Sequence, residues 1–202
     1  EYLAGRNSVY EALVANRRQI NRVIVAHGTD TGGTLGDILA LAQTMNVLID
    51  FVDRNRLDQL SGGVYHQGVV AEASPYPYAE LDDCLALART RDELPFFLAL
   101  DSVQDPQNVG SLLRTAEAVG VHGIIIPERR SASITPAVSR ASVGAVEHLL
   151  IADVTNLTRT LKELKAQNLW IVGVEGLDEA QPYDAVDLNM PLVLVLGSEG
   201  QG

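Results

Sequence analysis

Short apolar runs alternate along this chain with stretches in which apolar residues recur every third or fourth position. That is the pattern of strands followed by helices. A helix is predicted from Asn7 or Ser8, either of which can cap it, with Val9, Ala12 and Leu13 on its inner face. RVIVA (22–26) reads as a strand, and GDILALAQTM (36–45) as a helix with Ile38, Leu41, Ala42 and Met45 in register. VLIDFV (47–52) reads as the next strand, RNRLDQL (54–60) as a short helix, and HQGVVAEA (66–73), beyond Gly62-Gly63, as a further strand. These elements make a small α/β domain over 1–73. The stretch SPYPYAELDD (74–83) follows. Its prolines hold the preceding residues out of helical geometry, so it reads as a semi-rigid connector running into a helix, over 74–94.

Beyond it, FFLAL (96–100), GIII (123–126), NLWIVGV (168–174) and PLVLVL (191–196) are continuous apolar runs. Unbroken runs suit strands covered on both faces, as in a parallel sheet. Helical patterns separate them at 109–119, 136–142 and 155–167, the last capped by Thr155. The prediction for 95–202 is therefore a parallel-sheet α/β domain. Ligands of such sheets bind beyond the carboxyl ends of the strands. Chemistry belongs on the loops after Leu100, Ile126, Val174 and Leu196.

The first of these loops opens DSVQDPQNVGSLLRTAEAVGVHG (101–123). Asn108 reads as a helix cap, worth about 1 kcal/mol. Gly110, in the first turn, costs about 1 kcal/mol relative to Ala, which points to close approach by another backbone or a substrate. Leu112, Leu113, Ala116 and Val119 form the inner face, leaving Arg114 at the helix edge. A surface pair with Glu117 is the competing use of that charge. LGSEGQG (196–202) is glycine-rich, but its order is not G-x-G-x-x-G and it comes late in the chain, so a dinucleotide fold is disfavoured. VGVEG (172–176) adds glycine at a strand end and RASVGAVEH (140–148) places Glu147 after small residues, though a plain turn or cap accounts for either alone.

Composition narrows the class. Of 202 residues, 47% are apolar and 5% aromatic, so the core is aliphatic. No run is long and apolar enough to cross a membrane, and no secretory signal pattern opens the chain, so a soluble cytoplasmic protein is expected. Cys84 is the single cysteine and is expected to pack on a helix; the four histidines lack metal-ligand spacing, so no metal is expected. The net charge of −11 and a pI near 4.7 argue against nucleic acid when taken alone. Local patches decide phosphate binding, however, and the cations are arginines apart from Lys162 and Lys165.

The stretches DSVQDPQNVGSLLRTAEAVG and LVLVLGSEGQG resemble the first and second motifs of the SpoU (TrmH-type) RNA ribose 2′-O-methyltransferases of the SPOUT class. GRNSVYEAL and GGVYHQGVVAE resemble parts of the L30e-like RNA-binding domain carried by family members. The resemblance covers essentially the whole chain and is strongest to methyltransferases of guanosine in 23S rRNA. It implies an S-adenosylmethionine cofactor, an RNA partner and a homodimer. It makes Arg114, Asn108 and Glu199 catalytic-site residues, and puts Gly173, Leu196, Gly197, Glu199 and Gly200 around the cofactor. Gly5, Arg6, Asn7, Arg17, Arg18, Arg22, His66, Gln67, Arg129 and Arg130 are candidate RNA contacts. An arginine stays protonated to above about pH 12, so an electrostatic role for Arg114 is favoured over that of a general base.

Family members carry a third motif, an S-L-N stretch that threads a trefoil knot and completes the cofactor pocket. Nothing in residues 1–202 matches it, and the chain lacks an initiator Met. A polymer truly ending at Gly202 is expected to lack the knot, to bind cofactor weakly, to have little activity and to leave dimerisation in doubt. Other readings stay open: tRNA as substrate, antibiotic-resistance methylation of rRNA, a non-catalytic RNA-binding module, and, more distantly, a dinucleotide oxidoreductase.

Overall fold

The computed structural model describes residues 1–129, 131–177 and 180–198. The chain divides into two compact units: Glu1–Pro77 with Val109–Arg114 and Ile134–His148, and the remainder.

The first unit is built on a four-stranded sheet of β1 (Tyr2–Ala4), β4 (Val69–Ala73), β2 (Ile20–Ala26) and β3 (Leu48–Val52), in that spatial order. β4 runs antiparallel to both β1 and β2, while β3 is parallel to β2. The strand period of two shows on β2. Val23 and Val25 point into a cluster with Val9, Ala12 and Leu13 of α1 (Arg6–Ala15) and Leu35, Ile38 and Ala42 of α2 (Thr34–Thr44). Ile24 and Ala26 point the other way, onto Leu57 of α3 (Arg54–Leu60). Each large aliphatic side chain so buried contributes roughly 1.5–3 kcal/mol. Neither Asn7 nor Ser8 caps α1: the helix starts at Arg6, and Gly5, at φ 101°, takes the N-cap position without a side-chain bond.

The second unit is a five-stranded, all-parallel sheet with spatial order β7-β6-β5-β9-β8, as the apolar runs predict. The strands are β5 (Phe96–Leu100), β6 (Gly123–Pro127), β7 (Ile151–Val154), β8 (Trp170–Val174) and β9 (Leu192–Leu196). One face packs Phe97, Ala99, Ile125 and Val193 against α4 (Leu81–Arg91) and α7 (Leu157–Ala166). Cys84 of α4 is buried in that cluster, as expected. Coverage is uneven, because Trp170 and Val174 of the edge strand β8 are 62% and 53% exposed. Asn156, not Thr155, caps α7 through its side chain. Among the described residues no helix is long and apolar enough to cross a membrane, and no cluster of potential metal ligands occurs.

Candidate functional site

In the parallel sheet the chain leaves β5 toward β6 and β7, then returns on the far side through β8 and β9. The strand order therefore reverses between β5 and β9, the position at which open parallel sheets bind their ligands, beyond the strands' carboxyl ends. The Asp101 N–H donates to the Leu196 carbonyl across that point (2.8 Å). Leu196, at the end of the internal strand β9, and Gly197 and Ser198 beyond it are half-buried. On neighbouring β8, Gly173 is exposed, and a Cβ added to it would meet nothing within 4 Å. The expected cofactor residues Gly173, Leu196 and Gly197 thus line strand ends with bare backbone and half-exposed aliphatic surface. Glu199 and Gly200 lie outside the described residues.

The helix α5 (Pro106–Ala118) carries the other expected group. Its cap corrects the sequence reading: Asp105, not Asn108, is the N-cap, accepting from the Gln107 and Asn108 amides (2.6 and 3.2 Å). Pro106 occupies the first helical position, where its missing N–H costs nothing. Asn108 is therefore an exposed side chain of the first turn. The buried face is Val109, Leu113 and Ala116; Val119 is 58% exposed. Gly110 is explained by packing. A Cβ there would lie 2.3 Å from Ala141 Cβ and 2.8 Å from the Ser142 nitrogen, at the end of α6 (Pro136–Ala141). It admits another backbone. Arg114 is exposed and has no hydrogen bond or ion pair among the described residues, Glu117 included.

The candidate RNA contacts divide sharply. Arg18 has no exposed side-chain surface. Its Nε pairs with Glu147 (2.8 Å) and its Nη1 with Glu1 (2.9 Å), and its guanidinium lies 5.1 Å from the Tyr76 ring centre. Glu147 in turn accepts from the Ser139 hydroxyl, so this buried carboxylate serves the fold. Arg17 lies over the same ring at 5.5 Å and donates to the Tyr76 hydroxyl and the Pro77 carbonyl. Burial pushes the Tyr76 phenol up to about 12, against the lowering effect of Arg17. Arg22 bonds Glu72 and Asp50, and the Glu72 hydrogen bond holds its pKa above the ordinary value. His66 is 2% exposed: Nδ1 accepts from the Gly68 amide, so Nε2 donates to Asp58 (2.9 Å), which fixes the turn at Gln67. Arg18 and His66 are buried and committed within the unit, whereas Arg17 and Arg22 are half-buried and already paired there. Gly5 is buried, and Arg129 is exposed and unpaired among the described residues. Arg130 lies outside them.

What remains is a rim. Arg6, Asn7 and Gln67 come together, and they gather residues that the sequence reading missed: His27, Arg54 and Tyr65. One signal for them was present, an aromatic residue between glycines in GGVYHQG.

Residues 95–202 match the model of the SpoU rRNA Methylase family, and residues 2–79 match that for RNA 2′-O ribose methyltransferase substrate binding. The chain belongs to the SpoU rRNA methylase family. SpoU methylases use S-adenosylmethionine, and the protein is an RNA methyltransferase of this family. A putative TrmH family tRNA/rRNA methyltransferase, YacO of Bacillus subtilis, is 45% identical over 202 residues, 100% of this chain and 80% of its own. One from Staphylococcus saprophyticus is 42% identical, covering 99% of this chain and 79% of its own. Among solved structures, the rRNA methyltransferase from Sinorhizobium meliloti superposes with a TM-score of 0.73 at 24% identity, over 100% of this chain and 72% of its own. The SpoU methyltransferase AviRb from Streptomyces viridochromogenes, in complex with AdoMet, gives 0.75 at 20% identity, over 100% and 74%. At those identities the likeness is one of fold.

Proposed function

We propose that this SpoU methylase transfers a methyl group from S-adenosylmethionine to a ribose 2′-hydroxyl of RNA, a guanosine of 23S rRNA being the favoured target. Residues 1–73 are read as an L30e-like RNA-binding module, 74–94 as its connector and helix, and 95–202 as the SPOUT methylase block. The protein is read as working in the cytoplasm as a homodimer.

The observation that carries the reading is the state of Arg114. In a chain with net charge −11, this guanidinium stands in solvent with no carboxylate on it among the described residues, although Glu117 is one turn away. A 2′-hydroxyl is a poor nucleophile until its proton leaves. A cation beside it stabilises the forming alkoxide and holds the neighbouring phosphate; the hydroxyl proton passes to water, the oxygen takes the methyl group and S-adenosylhomocysteine leaves. Asn108, on the same helix, and Glu199 are assigned to shaping the site. Arg129 and Arg130, after β6, are assigned to the RNA backbone.

The methyl donor is assigned to the ends of β8 and β9, where the half-exposed aliphatic side chains and bare glycine backbone suit a flat adenine ring. Gly173, Leu196, Gly197, Glu199 and Gly200 would hold it. When bound it supplies an electrophilic methyl on its sulfonium.

Nucleoside mass spectrometry tests this. The protein is incubated with S-adenosylmethionine and either 23S rRNA or bulk tRNA, and the RNA is digested to nucleosides. The expected product is 2′-O-methylguanosine from rRNA. A methylated base, or no product from either RNA, overturns the reading; a ribose product from tRNA alone moves the substrate. Arg114→Lys is expected to lower kcat about a hundredfold, the loss seen when one transition-state donor is removed, with RNA affinity little changed.

A further inference from the structure

Two clefts in the first unit meet at one exposed side chain. Tyr65 is 65% exposed, and it and Gln67 line both. The first cleft, of about 460 Å³, is walled by Arg6, His27 and Arg54. The second, of about 170 Å³, is walled by Asn7 and Arg140. All of these residues belong to the one unit.

The charges at these clefts are available. Arg54 and Arg140 are exposed and make no hydrogen bond or ion pair among the described residues. Arg6 is held in place by carbonyls only: its Nε donates to Gln67 and its Nη2 to Asp30, both at 3.3 Å. Asp30 also lines the first cleft, but its carboxylate turns back onto the Gly32 amide (2.9 Å). His27 is exposed and stacked on Phe51, with ring centres 6.2 Å apart and planes at 21°. A second aromatic surface therefore stands in the first cleft. The Gln67 side chain accepts from the Arg6 amide (3.0 Å), which ties the floor shared by both clefts to the start of α1.

An exposed aromatic ring flanked by free guanidinium groups is the chemistry that binds unpaired nucleotides. Bases stack on the ring, and cations take the phosphates on either side. A duplex offers no free base face to such a ring. We propose that the paired clefts around Tyr65 form a subsite for an unpaired stretch of RNA, with a base stacked on Tyr65 and the flanking phosphates held by Arg6 and Arg54 on one side and by Arg140 on the other. Arg140 comes from α6, within the methylase match, so both blocks of sequence build this subsite. The proposal rests on the reading that this protein acts on RNA.

Fluorescence anisotropy with the full chain tests it, using a labelled single-stranded RNA of about 15 nucleotides and the same sequence annealed to its complement. The single strand should bind more tightly. Tyr65→Ala should weaken single-strand binding about tenfold, whereas Tyr65→Phe, which keeps the ring, should stay within about twofold. Arg54→Ala and Arg140→Ala should each lower the slope of log affinity against log salt by about 0.7, one single-strand phosphate apiece. Circular dichroism melting of each variant checks that it folds; these exposed side chains leave the core intact. If Tyr65→Ala binds like the parent, or the duplex binds better, the subsite is wrong while methylation of RNA can still stand. If the parent protein neither binds nor methylates RNA, the functional reading itself fails.

Discussion

Two tyrosines of the first unit each gather arginines, with opposite outcomes. At Tyr76 the ring is buried, Arg17 and Arg18 lie over it, and Glu147 and Glu1 neutralise Arg18. At Tyr65 the ring is exposed, and Arg54 and Arg140, which line the clefts it joins, make no ion pair among the described residues, the Asp30 carboxylate of the first cleft being turned onto the Gly32 amide. The same pair of residue types makes a structural pillar where water is shut out and an open receptor where it is not. A cation beside an aromatic ring is therefore no evidence of a ligand until its charge is shown to be unspent.

Breaking the filled cluster should have the largest effect. Arg18→Met leaves Glu147, 1% exposed, without its cation. Breaking a buried pair from one side costs about 3–5 kcal/mol. Urea unfolding should show that loss, and Glu147→Gln should show a comparable one. The double variant should lose less than the sum, because neither charge is then stranded. Strict additivity would mean that the pair does not act as a unit.

The second cluster depends on α6, which carries Arg140. Gly110→Ala pushes a methyl into Ala141 and the following backbone, where neither can yield cheaply. The expected loss is about 1–3 kcal/mol, with weaker RNA binding as α6 shifts. Unchanged stability would return Gly110 to the role of a substrate-facing gap.

Much of this was legible in the sequence, and the failures have physical causes. The helix 54–60 and the strand 96–100 are read to the residue, because both are strongly patterned between clear breaks. β1 and β7 escape because three and four residues are too few to show a period. Asp105 was readable as the cap, since a proline at the next position marks the first helical residue. The fate of Arg18 was not: its carboxylate lies 129 residues away in sequence, and no local pattern encodes that meeting. Tyr65, His27 and Arg54 were missed for a related reason. They come from a turn after β2, the start of α3 and the loop before β4, and only folding brings them to one rim.

Tyr76 allows the comparison to be sharpened by pH. Its phenol titrates near 10 in an unfolded chain and is pushed up to about 12 by burial here. The folded state therefore holds the proton where the unfolded state has lost it. This contribution is fully present below about pH 10 and is lost as the pH rises toward 12, by at most about 1.4 kcal/mol per pH unit. Unfolding measured at pH 9 and pH 11 should show the fall, and Tyr76→Phe should lessen it.

The smallest effect expected on stability is the most telling. Arg54→Ala removes a guanidinium that touches no partner among the described residues, so the fold should lose less than about 0.5 kcal/mol, the ordinary range for a surface change. Arg18→Met and Arg54→Ala delete the same charge from the same unit. If both destabilise alike, Arg54 is also part of the structure and the rim is a second pillar. If Arg54→Ala melts with the parent protein yet binds single-stranded RNA with a shallower salt dependence, the charge was kept for the ligand. Together the two variants separate an arginine that folding consumes from one that folding leaves exposed to phosphate.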